Sequence, residues 1–386
     1  SNNQGLFTNW SNRTYLAMSS GSEIFNPTPF NEGEYNIITA WHTNNDNKLF
    51  KNGSFINPST NNNSELLIGE FNIGVRHNNN DYYKGDISEL IFFNYPLDTV
   101  ERIIVNNYLA AKYGISISND KYDYDNNFGN DVAGIGQDVH GNSHTEAQSA
   151  KIFSVSDPTG LDDDEYLIFG HNDSSLAWSS EETPNAGYTQ RMKREWRITR
   201  DNVGEVTVKL DTSLLQDKPA NYTDYVVWID RNYDGDDDFS TGSVEQHFLT
   251  LNNGQYEISG ISFNDGDYVT FGVIRSVQLT ETSGSGFEST ASVSIEVEMQ
   301  SSLAENDSIY YTVTGGTATL NTDYTITSPD TLVIPSGNTT ANIQLSIIDD
   351  SDIEVDETIE ITLQSSTPLP LGSRKVFTYT IRNNDY

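Results

Sequence analysis

Apolar and polar residues alternate at period two through most of this chain, between turns rich in Asn, Asp, Gly and Ser. That is the pattern of half-buried β-strands. The last third alternates most cleanly. Val293, Ile295, Val297 and Met299 share one strand face, and Ile309, Tyr311 and Val313 another; Ala341, Ile343, Leu345 and Ile347, then Ile359, Ile361 and Leu363, then Phe377, Tyr379 and Ile381 complete five sets. Successive side chains on a strand point to opposite faces, so each set turns toward one common core, and a small two-sheet sandwich is predicted. Strands are also expected over 87–93, 131–136, 196–198, 206–210, 225–229 and 268–273. The pair Asn52-Gly53 tolerates positive φ and predicts a two-residue hairpin.

One helix interrupts the β pattern. Asp98 can cap its first turn, with Glu101 three residues on as in a capping box; Val100, Ile103, Ile104, Tyr108 and Ala111 recur at helical spacing before Gly114. That stripe is expected to pack on a sheet. Residues 276–286 are poor in bulky side chains and rich in Ser, Thr and Gly, which marks a domain boundary.

A length of 386 residues implies two or three domains. Lys+Arg 21 against Asp+Glu 56 gives a formal charge of -35, so the surface repels nucleic-acid phosphates and anionic headgroups. Partners of those classes are not expected. The acids gather in short loops, whose mutual repulsion a bound divalent cation would offset; calcium (Ca2+) is the first candidate. Cysteine is absent, which excludes disulfides and thiolate-held metals. No apolar run reaches the roughly 18 residues of a membrane span, and the residues from Ser1 form no signal peptide, so a mature or trimmed chain is expected.

The sharpest local motif is 230–238, where Asp230, Asn232, Asp234, Asp236 and Asp238 place oxygen side chains around Gly235 at the spacing of a calcium loop. Position twelve of that loop is Thr241 where an EF-hand needs a bidentate Glu, and a strand precedes it, so a calcium-bound β-loop is expected instead. Two looser acidic clusters, Asp120 to Asp131 and Asp162 to Glu165, read equally well as solvated turns. No catalytic residue is assigned: the chain lacks a Gly-x-Ser-x-Gly elbow, a His-Glu-x-x-His pair and a Cys nucleophile, and its six His are scattered. An enzyme is not expected. Trp196 and Trp228 sit in strand-like runs and are expected in the core, whereas Trp10 and Trp41 are the candidates for stacking on sugars.

The segments 317–324, 332–337, 347–357 and 380–385, which include Thr322-Asp323-Tyr324 and Ile347-Ile348-Asp349-Asp350, resemble a Calx-beta domain. The resemblance implies an immunoglobulin-like sandwich with Glu288, Asp323, Asp349, Asp350, Glu354 and Asp385 gathered at one end around calcium. The family's strongest binders end in a longer acidic run than Asn383-Asn384-Asp385, so one ion is expected to take most of these carboxylates. Residues 48–53, 85–92, Pro96-Leu97 and Glu101 resemble part of a laminin-G or concanavalin-like jelly roll. The stretches 108–115 and 130–138 are similar to an uncharacterised β-rich module of Bacteroidota surface proteins. A complete jelly roll needs more residues than precede the helix, so the first sandwich is expected to be partial.

The expected fold class is therefore all-β, with multi-domain β-sandwiches and one short helix: a jelly-roll-like part over 1–115, a central β module with the acidic loop over 116–276, and the Calx-beta sandwich over 277–386. The expected role is a calcium-stabilised structural or adhesive region of a secreted or cell-surface bacterial protein. Its expected partners are a glycan or a host or neighbouring-cell surface ligand, and further domains of a longer chain. The alternative is a carbohydrate-binding accessory region of a polysaccharide-degrading enzyme.

Overall fold

The computed structural model describes residues 5–10, 13–19, 22–26, 33–43, 47–56, 73, 85–184, 187–219, 222–231, 239–241, 244–299, 302, 305–365 and 369–385. The described residues are nearly all β, and the chain forms two compact units.

The first unit comprises Ser1–Asp173, Trp196–Val208 and Ser259–Gly266. Its strands Gly5–Trp10, Arg13–Ser19 and Ser22–Asn26 form an antiparallel meander. A second meander joins Ile38–His42, Asn47–Lys51 and Ser54–Ile56. Asn52 and Gly53 make its tight turn with φ of 50° and 79°, as their identities predict. A Cβ at position 53 would lie 2.1 Å from Asn119 Oδ1, so the turn needs glycine for space as well as for φ. Farther on, Tyr166–His171 pairs with both Asn130–Gln137 and Trp196–Asp201. Phe153, Phe169, Trp196 and Phe263 pack around one another there, with ring centroids 4.6–6.4 Å from that of Phe153.

The helix spans Thr99–Tyr113 and carries the expected capping box: Asp98 Oδ1 accepts from the Glu101 backbone N–H at 2.9 Å, and Glu101 Oε2 accepts from that of Asp98 at 3.0 Å. It ends at Gly114 in the left-handed region. The buried face is Val100, Ile103, Asn106, Asn107 and Ala110. Ile104, Tyr108 and Ala111 are only half-buried, so the packed stripe is rotated from the one expected. The reason is polar: the Asn107 amide donates to Ile103 O and Asn119 O and accepts from the Lys121 N–H, which ties the following loop to the helix. Residues 87–93 differ from expectation too. They form no strand among the described residues, and Ile87, Leu90, Ile91, Phe92 and Phe93 are exposed. Glu89 instead anchors this segment to the helix, accepting from Lys112 Nζ, Tyr108 Oη and Tyr113 Oη at 2.9–3.0 Å.

The second unit comprises Ser174–Glu195, Lys209–Ile258 and Asp267–Tyr386. In its first part Tyr268–Ile274 pairs with Thr189–Met192 and Asp224–Asp230, and the latter pairs with Val244–Phe248. Trp228 is fully buried against Gly272, where a Cβ would come within 2.0 Å of the indole.

The rest of that unit is a two-sheet sandwich. One sheet runs Val277–Leu279, Val293–Met299, Thr340–Ile347, Tyr324–Thr325; the other runs Ser283–Phe287, Val376–Arg382, Glu357–Gln364, Asp307–Gly316, Asp330–Ile334. The alternating sets meet between them: Ile295, Val297, Ile309, Leu345, Ile361 and Ile381 are all buried in one core. Within the small-residue stretch, Val277 and Leu279 are fully buried in this core and Ser283–Phe287 adds a strand parallel to Val376–Arg382.

Candidate metal centre

Strand direction places acids from distant positions at one end of the sandwich. Ser283–Phe287 and Val376–Arg382 run parallel and finish together, with Phe287 opposite Arg382. Glu288 follows the first and Asp385 the second. Thr340–Ile347 finishes at the same end, because its Ile347 faces Tyr324, and Asp350 lies three residues beyond. Glu357–Gln364 begins there, with Glu357 opposite Ile381, so Glu354 and Glu357 enter from the opposite chain direction. Asp323 completes the set immediately before Tyr324–Thr325.

These carboxylates form two trios, Glu288 with Asp350 and Asp385, and Asp323 with Glu354 and Glu357; within each, one oxygen from every member lies within 4.8 Å of the others. Oxygens bound at 2.3–2.6 Å on opposite sides of one calcium ion are about 4.6–5.2 Å apart, so either trio fits a single ion. Among the described residues no other group of three or more His, Asp or Glu converges in this way.

The backbone around the trios is fixed by local hydrogen bonds. The Glu288 N–H donates to Arg382 O at 3.1 Å. Asn383 holds the C-terminal segment, donating from Nδ2 to Glu354 O at 2.8 Å and accepting the Asp385 N–H on Oδ1 at 2.8 Å. Asp350 Oδ1 accepts from the Asp352 N–H, and Asp323 Oδ2 from the Thr319 N–H. Two oxygens lack any such partner: Glu288 Oε2 and Asp385 Oδ2 are buried with no hydrogen-bond donor. A buried carboxylate oxygen without a donor is costly unless a cation meets it.

The electrostatics agree. Burial pushes the Glu288 carboxyl above its ordinary value, and Asp385, Glu354, Asp350 and Asp349 push the same way. Glu354 is raised by desolvation and by Asp323, Asp350 and Asp352. Glu357 is pushed up to about 7 by desolvation, by its hydrogen bond to Asp323 and by the charges of Asp323, Glu354 and Glu288. No Lys or Arg contributes to lowering any of the three. The donor set is all carboxylate oxygen, the chemistry of a hard cation such as calcium.

Of the six acids expected here, the structure brings five into the two trios. Asp349 stands beside them, where its Oδ1 accepts from Asn384 Nδ2 at 3.2 Å. Glu357 was missed. Its signal was in the sequence: it continues the inward register of Ile359, Ile361 and Leu363, a carboxylate on the core-facing side of a strand at its open mouth. The converging acids fall into two groups of three.

The other expected calcium loop falls mostly elsewhere. Asn232, Asp234, Asp236 and Asp238 lie outside the described residues. Asp230 is buried at the end of its strand, and Arg231 pairs with Glu245 and Asp267 at 2.7 and 2.5 Å. The two looser clusters are engaged structurally: Asp131 meets His171 Nε2 at 3.2 Å, Asp164 pairs with Lys121, and Glu165 accepts from the Asp162 N–H and from Asn202. Trp196 and Trp228 are core residues as expected. The side chain of Trp10 is outside the described set.

Residues 273–385 match the family described as Calx-beta domain, and residues 101–267 match one described as a domain of unknown function, DUF8202. No curated protein matches the chain. Similar solved structures include the apo form of the Calx CBD1 domain, at 23% identity over 28% of this chain and 96% of that one, with a TM-score of 0.26. They include also the calcium binding domain CBD12 of CALX1.1, at 22% identity over 28% of this chain and 45% of that one with a TM-score of 0.27, and the Calx CBD2 domain, at 16% identity over 28% and 86% with a TM-score of 0.25.

Proposed function

We propose that this chain is a calcium-stabilised structural region of a secreted or cell-surface bacterial protein, serving adhesion or display, with no reaction of its own. The observation that carries the reading is the pair of buried, donorless oxygens, Glu288 Oε2 and Asp385 Oδ2, within converging carboxylates at one end of the sandwich. Calcium, when bound, would supply the positive charge these groups lack. Glu288, Asp350 and Asp385 would hold one ion, and Asp323, Glu354 and Glu357 a second. Each trio joins loops from both sheets, so loading would stiffen that end of the domain. The large negative charge and the β-rich architecture support a surface role in a longer chain, and no described helix is long and apolar enough to cross a membrane.

Calorimetric titration of the full chain with calcium is expected to show saturable binding that, in the triple variant Glu288→Gln, Asp385→Asn, Glu357→Gln, is lost at the first trio and weakened about tenfold at the second. A flat titration of the unaltered chain at neutral pH would overturn the reading.

A second reading, a carbohydrate-binding accessory region of a polysaccharide-degrading enzyme, is favoured by Trp41, which lines an open cavity in the first unit. Loss of glycan binding in Trp41→Ala would support it.

A further inference from the structure

A cavity of about 230 Å³ opens beside the first turn of the helix Thr99–Tyr113, lined by Trp41, Lys48, Phe50, Thr99, Arg102 and Asn142 among others. Its aromatic wall is preorganised. The Trp41 indole N–H donates to Leu97 O at 2.7 Å, which fixes the ring, and each aromatic carries a cation: Lys48 Nζ lies 4.5 Å from the Trp41 ring centroid and Arg102 Cζ lies 4.0 Å from that of Phe50. Trp41 is therefore no bare stacking platform, since Lys48 covers one face of it.

The charge here is out of keeping with the molecule. The chain has 56 carboxylate side chains and 21 Lys and Arg, yet among the described residues the half-buried guanidinium of Arg102 makes no salt bridge and feels a carboxylate, Asp98, only at longer range. Withdrawing a charge from water without a counter-charge is costly, and a guanidinium fork matches a carboxylate or sulfate in two parallel hydrogen bonds. One acid, Asp98, also lines the cavity, but its Oδ1 is committed to the Glu101 N–H in the helix cap. Burial pulls the Arg102 pKa below its ordinary value, and the charges of Asp98 and Tyr166 offset that only in part.

We infer that this cavity is a subsite for one anionic sugar ring of an acidic polysaccharide, with Arg102 taking the anionic group, Lys48 adding charge, and the edges of Trp41 and Phe50 supplying apolar contact. Thr99 offers a hydroxyl and Asn142 an amide oxygen of the kind that meet sugar hydroxyls, the Asn142 Nδ2 being engaged with Asp138 Oδ2 at 2.8 Å. The volume is below the roughly 300–1,000 Å³ of pockets that enclose a drug-sized ligand, which suits a single ring of a longer chain. The inference rests on the second reading above and gives it a ligand class.

The test is calorimetric titration of the full chain with oligogalacturonate, dextran sulfate and neutral dextran. Oligogalacturonate or dextran sulfate is expected to bind, the two probes separating carboxylate from sulfate recognition, and dextran is not. Arg102→Gln is expected to weaken binding at least tenfold at an unchanged melting temperature. Arg102→Lys is expected to recover only part of the loss. Lys48→Gln, a near-isosteric change at a half-buried strand position, is expected to weaken the same ligand and lessen its salt dependence, so the test survives if Arg102→Gln does not fold. Undiminished binding in both variants overturns the inference. Dextran binding that is lost in Trp41→Ala overturns the anionic assignment while leaving glycan binding standing; no binding of any of the three ends both.

Discussion

Glu357 begins its strand beside Asp323 and Glu354, and its carboxyl is raised from 4.5 to about 7. A carboxyl raised in the folded state binds more protons there than in the unfolded chain between these two values. Its protonation therefore stabilises the metal-free fold fully below about pH 4.5, and that contribution is lost as pH rises through 7. The expected outcome is a melting temperature of the chelator-treated protein that falls between pH 5 and pH 8, measured by calorimetry. Calcium must displace those protons, so its affinity is expected to fall as pH drops below 7. Glu357→Gln separates the two effects: the metal-free protein should lose the fall above pH 5, while calcium binds about tenfold more weakly, roughly 1.4 kcal/mol.

Among the elements, the helix Thr99–Tyr113 shows which local signals survive folding. Its cap was legible because Asp98 and Glu101 satisfy N–H groups within one turn, whatever surrounds them. Asp98→Ala is expected to cost about 1 kcal/mol, read as a shift in chemical denaturation midpoint. Its packed face was not legible, because a buried asparagine, Asn107, holds it through bonds to the loop that follows. Asn107→Leu leaves the Lys121 N–H and Asn119 O without their partner and is expected to cost about 1–3 kcal/mol by the same measurement. Gly272 is a comparable constraint in the second unit: Gly272→Ala drives a methyl into Trp228 and is expected to destabilise by about 1–3 kcal/mol.

For the molecule as a whole, a formal charge of -35 loads the compact state with self-repulsion, which bound calcium, as proposed above, would offset. A ligand present at a hundredfold over its dissociation constant stabilises the folded state by about 2.7 kcal/mol per site. Chelation is therefore expected to lower the melting transition of the sandwich markedly, and an excess of calcium to restore it. An unchanged melting curve in excess chelator would count against both carboxylate trios.

The strands of the C-terminal sandwich and the class of its site were determined by sequence alone. Period-two burial is a property of each strand, and Asp and Glu at strand ends carry the same chemistry wherever they meet. Which carboxylates converge was decided only by tertiary structure. Parallel pairing of Ser283–Phe287 with Val376–Arg382 brings Glu288 to Asp385, and the opposite direction of Glu357–Gln364 brings Glu357 to Asp323. The exposed course of 87–93 and the seating of Arg102 over the Phe50 ring were decided at the same level. Each depends on what lies opposite a residue in space, and pairing across a sheet is set by the closure of the whole core.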